Sequence, residues 1–190
     1  MTFLDDFAVF ILTHKRPNQV LTTRALAESG YTGRIYYIVD NLDPCVDEYK
    51  HNFGAENVIV FDKLAEAKLT DRYNNDQSLN GVVFARNANF RIAKKLGVKY
   101  FLQLDDDYNG FYRRYVKGTK LLAQRIRNLD GICKLFIDYL VATKAKTIAF
   151  AQGGDYIGGF QSQPIKKGPL RKVMNCFFCD ANKPLDFGAS

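Results

Sequence analysis

An unbroken apolar run, FAVFIL (7–12), shows no alternation, which is the pattern of a strand covered on both faces. The polar THKR loop follows, and Pro17 suits the first turn of a helix. That helix is predicted over 18–28, with Val20, Leu21, Ala25 and Leu26 at helical spacing and Gly30 as C-cap. RIYYIVD (34–40) predicts a second strand, 44–52 a short helix, and NVIVF (57–61) a third strand. Residues 62–80 are polar without strong periodicity and predict a surface connection. A helix over 82–96 offers Val82, Val83, Ala85, Ala88, Ala93 and Leu96 for packing, and Gly97 ends it. KYFLQLD (99–105) is a fourth strand.

Strands separated by helices imply βαβ units and a mostly parallel sheet, which binds ligands at the carboxyl ends of its strands. The polar residues after the predicted strands fall there: Thr13, His14, Lys15 and Arg16; Asp40 and Asn41; and Asp105, Asp106 and Asp107. The second half reads differently. FYRRYV (111–116) predicts a basic strand, 129–144 an amphipathic helix and TIAFA (147–151) a strand. Glycine-rich QGGDYIGG (152–159), a loop over 160–171 and a last strand, KVMNCFF (172–178), complete the chain.

The 190 residues suffice for one domain with a real core. No apolar run approaches the roughly 20 residues that span a bilayer, and no signal peptide is visible, so the expected location is cytoplasmic. Four irregularly spaced cysteines suggest a reducing compartment. The net charge of +7 is unevenly placed. Residues 110–173 carry 13 Lys/Arg against 3 Asp/Glu, whereas 1–109 carry 13 against 15. The basic segment suits a polyanionic partner such as nucleic acid, phosphorylated headgroups or an acidic glycan, or simply a solubilising face.

Some chemistry is absent. The loop after the first strand, THKRPNQ, has no dinucleotide glycine fingerprint, and there is no phosphate-binding P-loop. His14 and His51 belong to no metal-ligand spacing. Cys176 and Cys179 have CxxC spacing without a second pair, and buried core thiols are the simpler reading. What stands out is LQLDDDY: a strand ending in Asp-x-Asp brings two hard carboxylates within reach of one cation, Mg²⁺ or Mn²⁺. Alone, the same letters also describe an ordinary acidic turn.

Order and spacing decide between them. FAVFILTHKRP (7–17), IYYIVDN (35–41), ARNANFRIAKKLGVKYFLQLDDD (85–107) and VMNCFFCD (173–180) together resemble the GT-A nucleotide-sugar glycosyltransferases, especially the family-2-like branch. More narrowly, THKRPNQ, LQLDDDY and the tail MNCFFCDANKPLDFGAS look similar to the bacteriophage TET-associated glycosyltransferases, which attach sugar to hydroxylated bases in DNA. The resemblance implies a GT-A (Rossmann-like), mixed and mostly parallel sheet flanked by helices, with Asp-x-Asp ending the fourth strand. It implies one domain over 1–190, in which 1–109 bind the nucleotide sugar and 110–190 face the acceptor. It places Thr13 and Arg16 beside base and ribose, and Asp40 as acceptor of a base or ribose hydrogen bond. Arg86 would reach the sugar or phosphates, Asp105 would contact hydroxyls, and Asp107, with Asp105, would ligate Mn²⁺ or Mg²⁺, leaving Asp106 as spacer.

The implied donor is a nucleoside-diphosphate sugar, most often a UDP-sugar, and the basic segment is compatible with a DNA acceptor. A phage-encoded enzyme would act in the cytoplasm of its bacterial host. One departure stands. The late acidic pair that supplies a catalytic base in this family is not matched, since Asp180 and Asp186 are the only late acids. Either the chain is truncated relative to a longer protein or the base comes from elsewhere, and Asp155 in GGDYIGG is a candidate. The competing readings are a nucleotidyltransferase, which would want a glycine-rich first loop, and a non-catalytic nucleic-acid-binding module.

Overall fold

A computed structural model describes residues 2–71, 78–161 and 174–188, apart from the side chains of Gly153 and Asp155. The all-apolar run becomes β1 (Phe7–Leu12), and each of its six residues is buried. It is the central strand of five, flanked by β2 (Arg34–Asp40) and β4 (Tyr100–Asp105). The full order is β3-β2-β1-β4-β7, with β3 spanning Val58–Phe61 and β7 Cys176–Asp180. β1, β2, β3 and β4 are mutually parallel, and β7 runs antiparallel to β4.

Helices cover both faces, which is why β1 needs no polar side. Phe7, Val9 and Ile11 face one layer, built from α1 (Leu21–Glu28), α2 (Val46–Phe53) and α5 (Leu129–Thr143). Ala8, Phe10 and Leu12 face the other, where α4 (Val83–Lys95) contributes Ala88, Phe90, Ile92 and Ala93. Helix α5 buries Leu129, Cys133, Ile137 and Leu140 along one stripe, and the Asn128 side chain caps it by accepting from Gly131 N at 3.0 Å.

Several boundaries differ from the sequence expectation, each for a local reason. α1 starts at Leu21 rather than 18, because the preceding residues are engaged elsewhere: Arg16 N donates to the Tyr49 hydroxyl at 2.8 Å and Asn18 to Glu48 at 2.6 Å. Gly30 does end this helix, at φ 78°, and a Cβ there would meet the Arg127 carbonyl at 2.2 Å, so only glycine fits. A helix, α3 (Lys63–Leu69), occupies the start of the segment read as a loop; Asp62 caps it by accepting from Ala65 N at 3.0 Å. The basic strand is β5 (Tyr112–Lys117), and it pairs with an unanticipated β6 (Lys120–Arg125) in a separate two-stranded sheet. TIAFA makes only a single bridge, Ile148 to Phe178, rather than a strand. β7 begins at Cys176; residues 172 and 173 and the expected loop from 162 onward lie outside the described residues.

Cys176 and Cys179 point to opposite layers of the core, so the CxxC spacing makes no paired site. Both thiols are free, and burial pushes them up, to about 11 and about 12. Among the described residues no helix is long and apolar enough to cross a membrane.

Phe178 is fully buried, with the Phe136 and Phe150 rings at 5.0 and 5.3 Å. Truncation leaves a cavity that α5 and the segment around Phe150 cannot fill. Phe178→Ala is therefore expected to cost about 3–5 kcal/mol in urea unfolding, and a loss below about 1 kcal/mol would contradict the packing of β7 against α5.

Candidate active-site cleft

β2 and β3 lie on one side of β1 and β4 on the other, so the chain reverses its winding between β1 and β4. The loops leaving those two strands part from each other, and open α/β sheets place ligands in the crevice so formed. Here it is a cleft of about 360 Å³, lined from one loop by Thr13, His14 and Arg16 and from the other by Asp105, Asp106 and Asp107. Asp40, Lys63 and Ala85 also line it.

The three aspartates do three different things. Asp106 is buried and turned inward: its carboxylate accepts from Thr13 Oγ1 at 2.8 Å and from the Arg16 guanidinium at 3.3 Å. It is thus the strut between the two loops, not a spacer. Asp105 is part-buried and faces Arg86 at 3.4 Å. Burial raises its pKa, partly opposed by Arg86 and reinforced by the charges of Asp107 and Asp106. Asp107 is exposed.

The turn carrying them is held by Thr22, which the sequence reading passed over. Thr22 Oγ1 donates to the Asp105 carbonyl at 2.7 Å and accepts from Tyr108 N at 3.0 Å, and its own N–H donates to the Asp106 carbonyl at 3.2 Å. No motif signals this role; a threonine in the first turn of a helix is commonplace.

The first loop is equally constrained. Lys15 sits in the left-handed region at φ 56°, unusual for a side chain of its length. Its N–H donates to Asp43 at 2.6 Å, while the Tyr49 hydroxyl bonds Thr13 Oγ1 and Arg16 N, each at 2.8 Å. Strain of that sort persists only where neighbours over-determine the backbone.

Asp40 lines the cleft, yet its carboxylate is already engaged. Leu42 N donates to one oxygen at 3.1 Å, and Lys63 Nζ and His14 Nδ1 approach the other at 3.2 and 2.9 Å. Lys63 was missed because its segment reads as a loop, although Asp62 before a run of helix-forming residues is a legible helix start. Arg86 stacks over the Phe177 ring at 5.0 Å, and its buried Nε has no hydrogen-bond partner among the described residues. Arg86 itself lines neither this cleft nor the next; it reaches the site through its pairing with Asp105.

A second cleft, about 760 Å³, lies beyond Asp107, which lines both. Its walls are aromatic: Tyr108, Phe111, Phe136, Phe150 and Tyr156. Tyr108 donates to Asn175 Oδ1 at 2.8 Å and thereby fixes one wall. Asp155 falls in the 3-10 turn Gly153–Tyr156 at its rim, and its side chain lies outside the described residues. The late acids do not join either cleft. Asp180 pairs with Tyr100 at the start of β4, the opposite end of the sheet from the aspartate turn, and exposed Asp186 lines neither.

Among the described residues, no group of three or more His, Cys, Asp and Glu side chains could hold a metal unaided. Asp105 and Asp107, interacting across one turn, offer the one or two carboxylates that Mg²⁺-type ions take when substrate phosphates complete their shell.

Fold and cleft together define an α/β protein of Rossmann-like layout with a charged cleft at its switch point. A family model described as TET-Associated Glycosyltransferase matches residues 7–189, and the chain belongs to that family. It is thus a glycosyltransferase by family, as the ordered sequence motifs implied. No curated protein and no solved structure matches the chain.

Two substitutions separate the aspartates. Asp106→Ala removes the strut and is expected to cost about 2–3 kcal/mol. Asp105 behaves oppositely. Its raised native pKa means that the folded state holds a proton the unfolded state has released, so its contribution to stability falls as pH rises from the ordinary aspartate range through the native value. Asp105→Asn should therefore raise the melting temperature at neutral pH, with the gain vanishing in acid. A variant less stable than the parent at neutral pH would show that the Arg86 pairing outweighs burial.

Proposed function

We propose that the chain is a GT-A enzyme that transfers a sugar from a nucleoside-diphosphate sugar, a UDP-sugar foremost, to an acceptor hydroxyl. One observation carries the reading: two clefts, one charged and one aromatic, meet at a single exposed carboxylate, Asp107. The charged cleft draws on residues 12–107 and the aromatic one on 107–175, which supports a nucleotide-sugar half and an acceptor half within one domain.

In this reading Asp105 and Asp107 would hold Mn²⁺ or Mg²⁺ against the donor diphosphate, with Arg86 paired to Asp105. When bound, that cation offsets the charge that builds on the leaving diphosphate. The chain's own contribution is positioning. Thr13, Arg16 and the Asp40–Lys63 pair form the wall for base and ribose. Arg86 pairs with Asp105 and so holds that carboxylate in position for the donor. The acceptor oxygen attacks the anomeric carbon, the bond to the diphosphate oxygen breaks with its electron pair, and the hydroxyl proton passes to a carboxylate base.

Asp155 is the proposed base, since its turn places Gly154 and Tyr156 on the acceptor cleft. The aromatic walls suit a flat acceptor ring, and a hydroxylated DNA base fits both that shape and the basic charge of residues 110–173.

Calorimetry of UDP with and without Mn²⁺ tests the donor side. Binding is expected to depend on the metal and to weaken at least about tenfold in Asp107→Asn; metal-independent binding that ignores the substitution would remove the site assignment. Asp155→Asn should lower transfer about 10²–10⁴-fold while leaving UDP affinity intact. An unchanged rate would place the base elsewhere.

A further inference from the structure

The β5–β6 hairpin is set apart from the central sheet and exposed along all of β5. Residues 110–128 contain six cations, Arg113, Arg114, Lys117, Lys120, Arg125 and Arg127, and no acid. Two of these are used internally: Arg125 pairs with the Glu28 carboxylate, and Arg127 donates to the Glu28 carbonyl at 3.0 Å. The other four meet no carboxylate among the described residues. Arg113 donates to Gln124 at 2.7 Å and lies over the Tyr115 ring, and Arg114 lies over Tyr156 at 4.7 Å. Lys117 and Lys120 face each other across the tip, a two-residue loop of Gly118 and Thr119. Gly118, at φ 60°, holds the position where a type II′ turn needs glycine. Two like charges opposed across a strand pair destabilise a ribbon that has little else to support it.

The distribution over the two faces is informative. Strand alternation puts Arg114 on one face and Arg113 and Lys117 on the other, with Lys120 joining the second through its register with Lys117. A ribbon lying flat on a polyanion would need cations on one face only. Cations on both faces suit an element flanked by negative charge on two sides. The major groove of B-form DNA, about 12 Å wide and walled by two phosphate strands, admits a two-stranded ribbon. The root of the hairpin adjoins the aromatic cleft, since Tyr112, Arg113 and Arg114 line it.

We infer that the β5–β6 hairpin enters the major groove of duplex DNA and holds its phosphates through Arg113, Arg114, Lys117 and Lys120. This deepens the reading of a DNA acceptor given above by naming the element that grips it. The hairpin supplies non-specific backbone affinity, which presents bases to the cleft at its root.

Fluorescence anisotropy of the full chain with an unmodified duplex of about 20 base pairs, between about 50 and 200 mM salt, tests the inference. The combined variant Arg113→Gln, Arg114→Gln, Lys117→Gln and Lys120→Gln should bind at least about tenfold more weakly. Its log–log salt slope should be shallower by about 3–4, as four lost phosphate contacts require. The tip variant Lys117→Glu with Lys120→Glu touches no packed side chain and should show the same direction. Lys94→Gln with Lys95→Gln, exposed cations at the far end of α4, should change nothing.

Unaltered duplex binding in both hairpin variants overturns the inference. So does tighter binding to single strands, to duplex RNA (whose deep major groove excludes a ribbon) or to anionic vesicles. UDP–Mn²⁺ calorimetry on the same variants keeps the two readings apart. If UDP binds normally and duplex binding is unmoved, the hairpin reading fails alone. If no variant or parent binds UDP while the duplex losses appear, the donor reading fails and the hairpin stands.

Discussion

A carboxylate taken out of water must be compensated on the spot, and the cleft is built around one that is. Asp106 receives the Thr13 hydroxyl and the Arg16 guanidinium, so the turn after β4 and the loop after β1 are fastened to each other where the sheet would otherwise splay them apart. Partnering a buried charge is close to obligatory, because leaving one bare costs several kcal/mol. Everything else at the site inherits this bond. Tyr49 and Asp43 hold the first loop in a conformation that Lys15 would not adopt freely. Thr22 holds the turn from beneath, and the two anchored backbones then present Asp105 and Asp107 outward.

Three adjacent aspartates repel one another, and the structure disperses that repulsion by giving each a different medium. One is buried and paired, one is half-buried against an arginine, and one is left in water. Asp105 keeps a cost of its own: burial above all, and then the charges of Asp107 and Asp106, raise its pKa against the pull of Arg86. Arg86, which pairs with it, has its Nε–H buried beside the Phe177 ring with no acceptor among the described residues.

The central sheet was legible because its signals are collective. FAVFIL, RIYYIVD and KYFLQLD are long apolar runs with polar ends, and burial on two faces leaves little else they could be. Thr13, Arg16, Asp40, Asp105 and Asp107 could be nominated because strand ends converge in parallel sheets, and all five line the charged cleft; Arg86, nominated from the family resemblance, sits on α4 and does not line it. The misses are contacts between distant residues. Thr22, Tyr49 and Asp43 act through hydrogen bonds spanning 28 to 86 positions, and no local pattern encodes them. Asp106 was misjudged for the same reason: alternation says which carboxylates share a side, but not that the odd one finds a hydroxyl and a guanidinium within the fold. KLLAQR has no clear period and became a strand only by pairing with its basic neighbour.

Asp107 belongs to both clefts, and that shared membership has a thermodynamic meaning. A ligand that alters the charge or orientation of this carboxylate from one side alters what the other side experiences. Whatever factor the first occupant applies to the affinity of the second, the second must return to the first. On the proposed reading, a single exposed side chain would couple donor and acceptor binding without any movement of the sheet, and the order of filling would be a property of one carboxylate's surroundings rather than of a hinge.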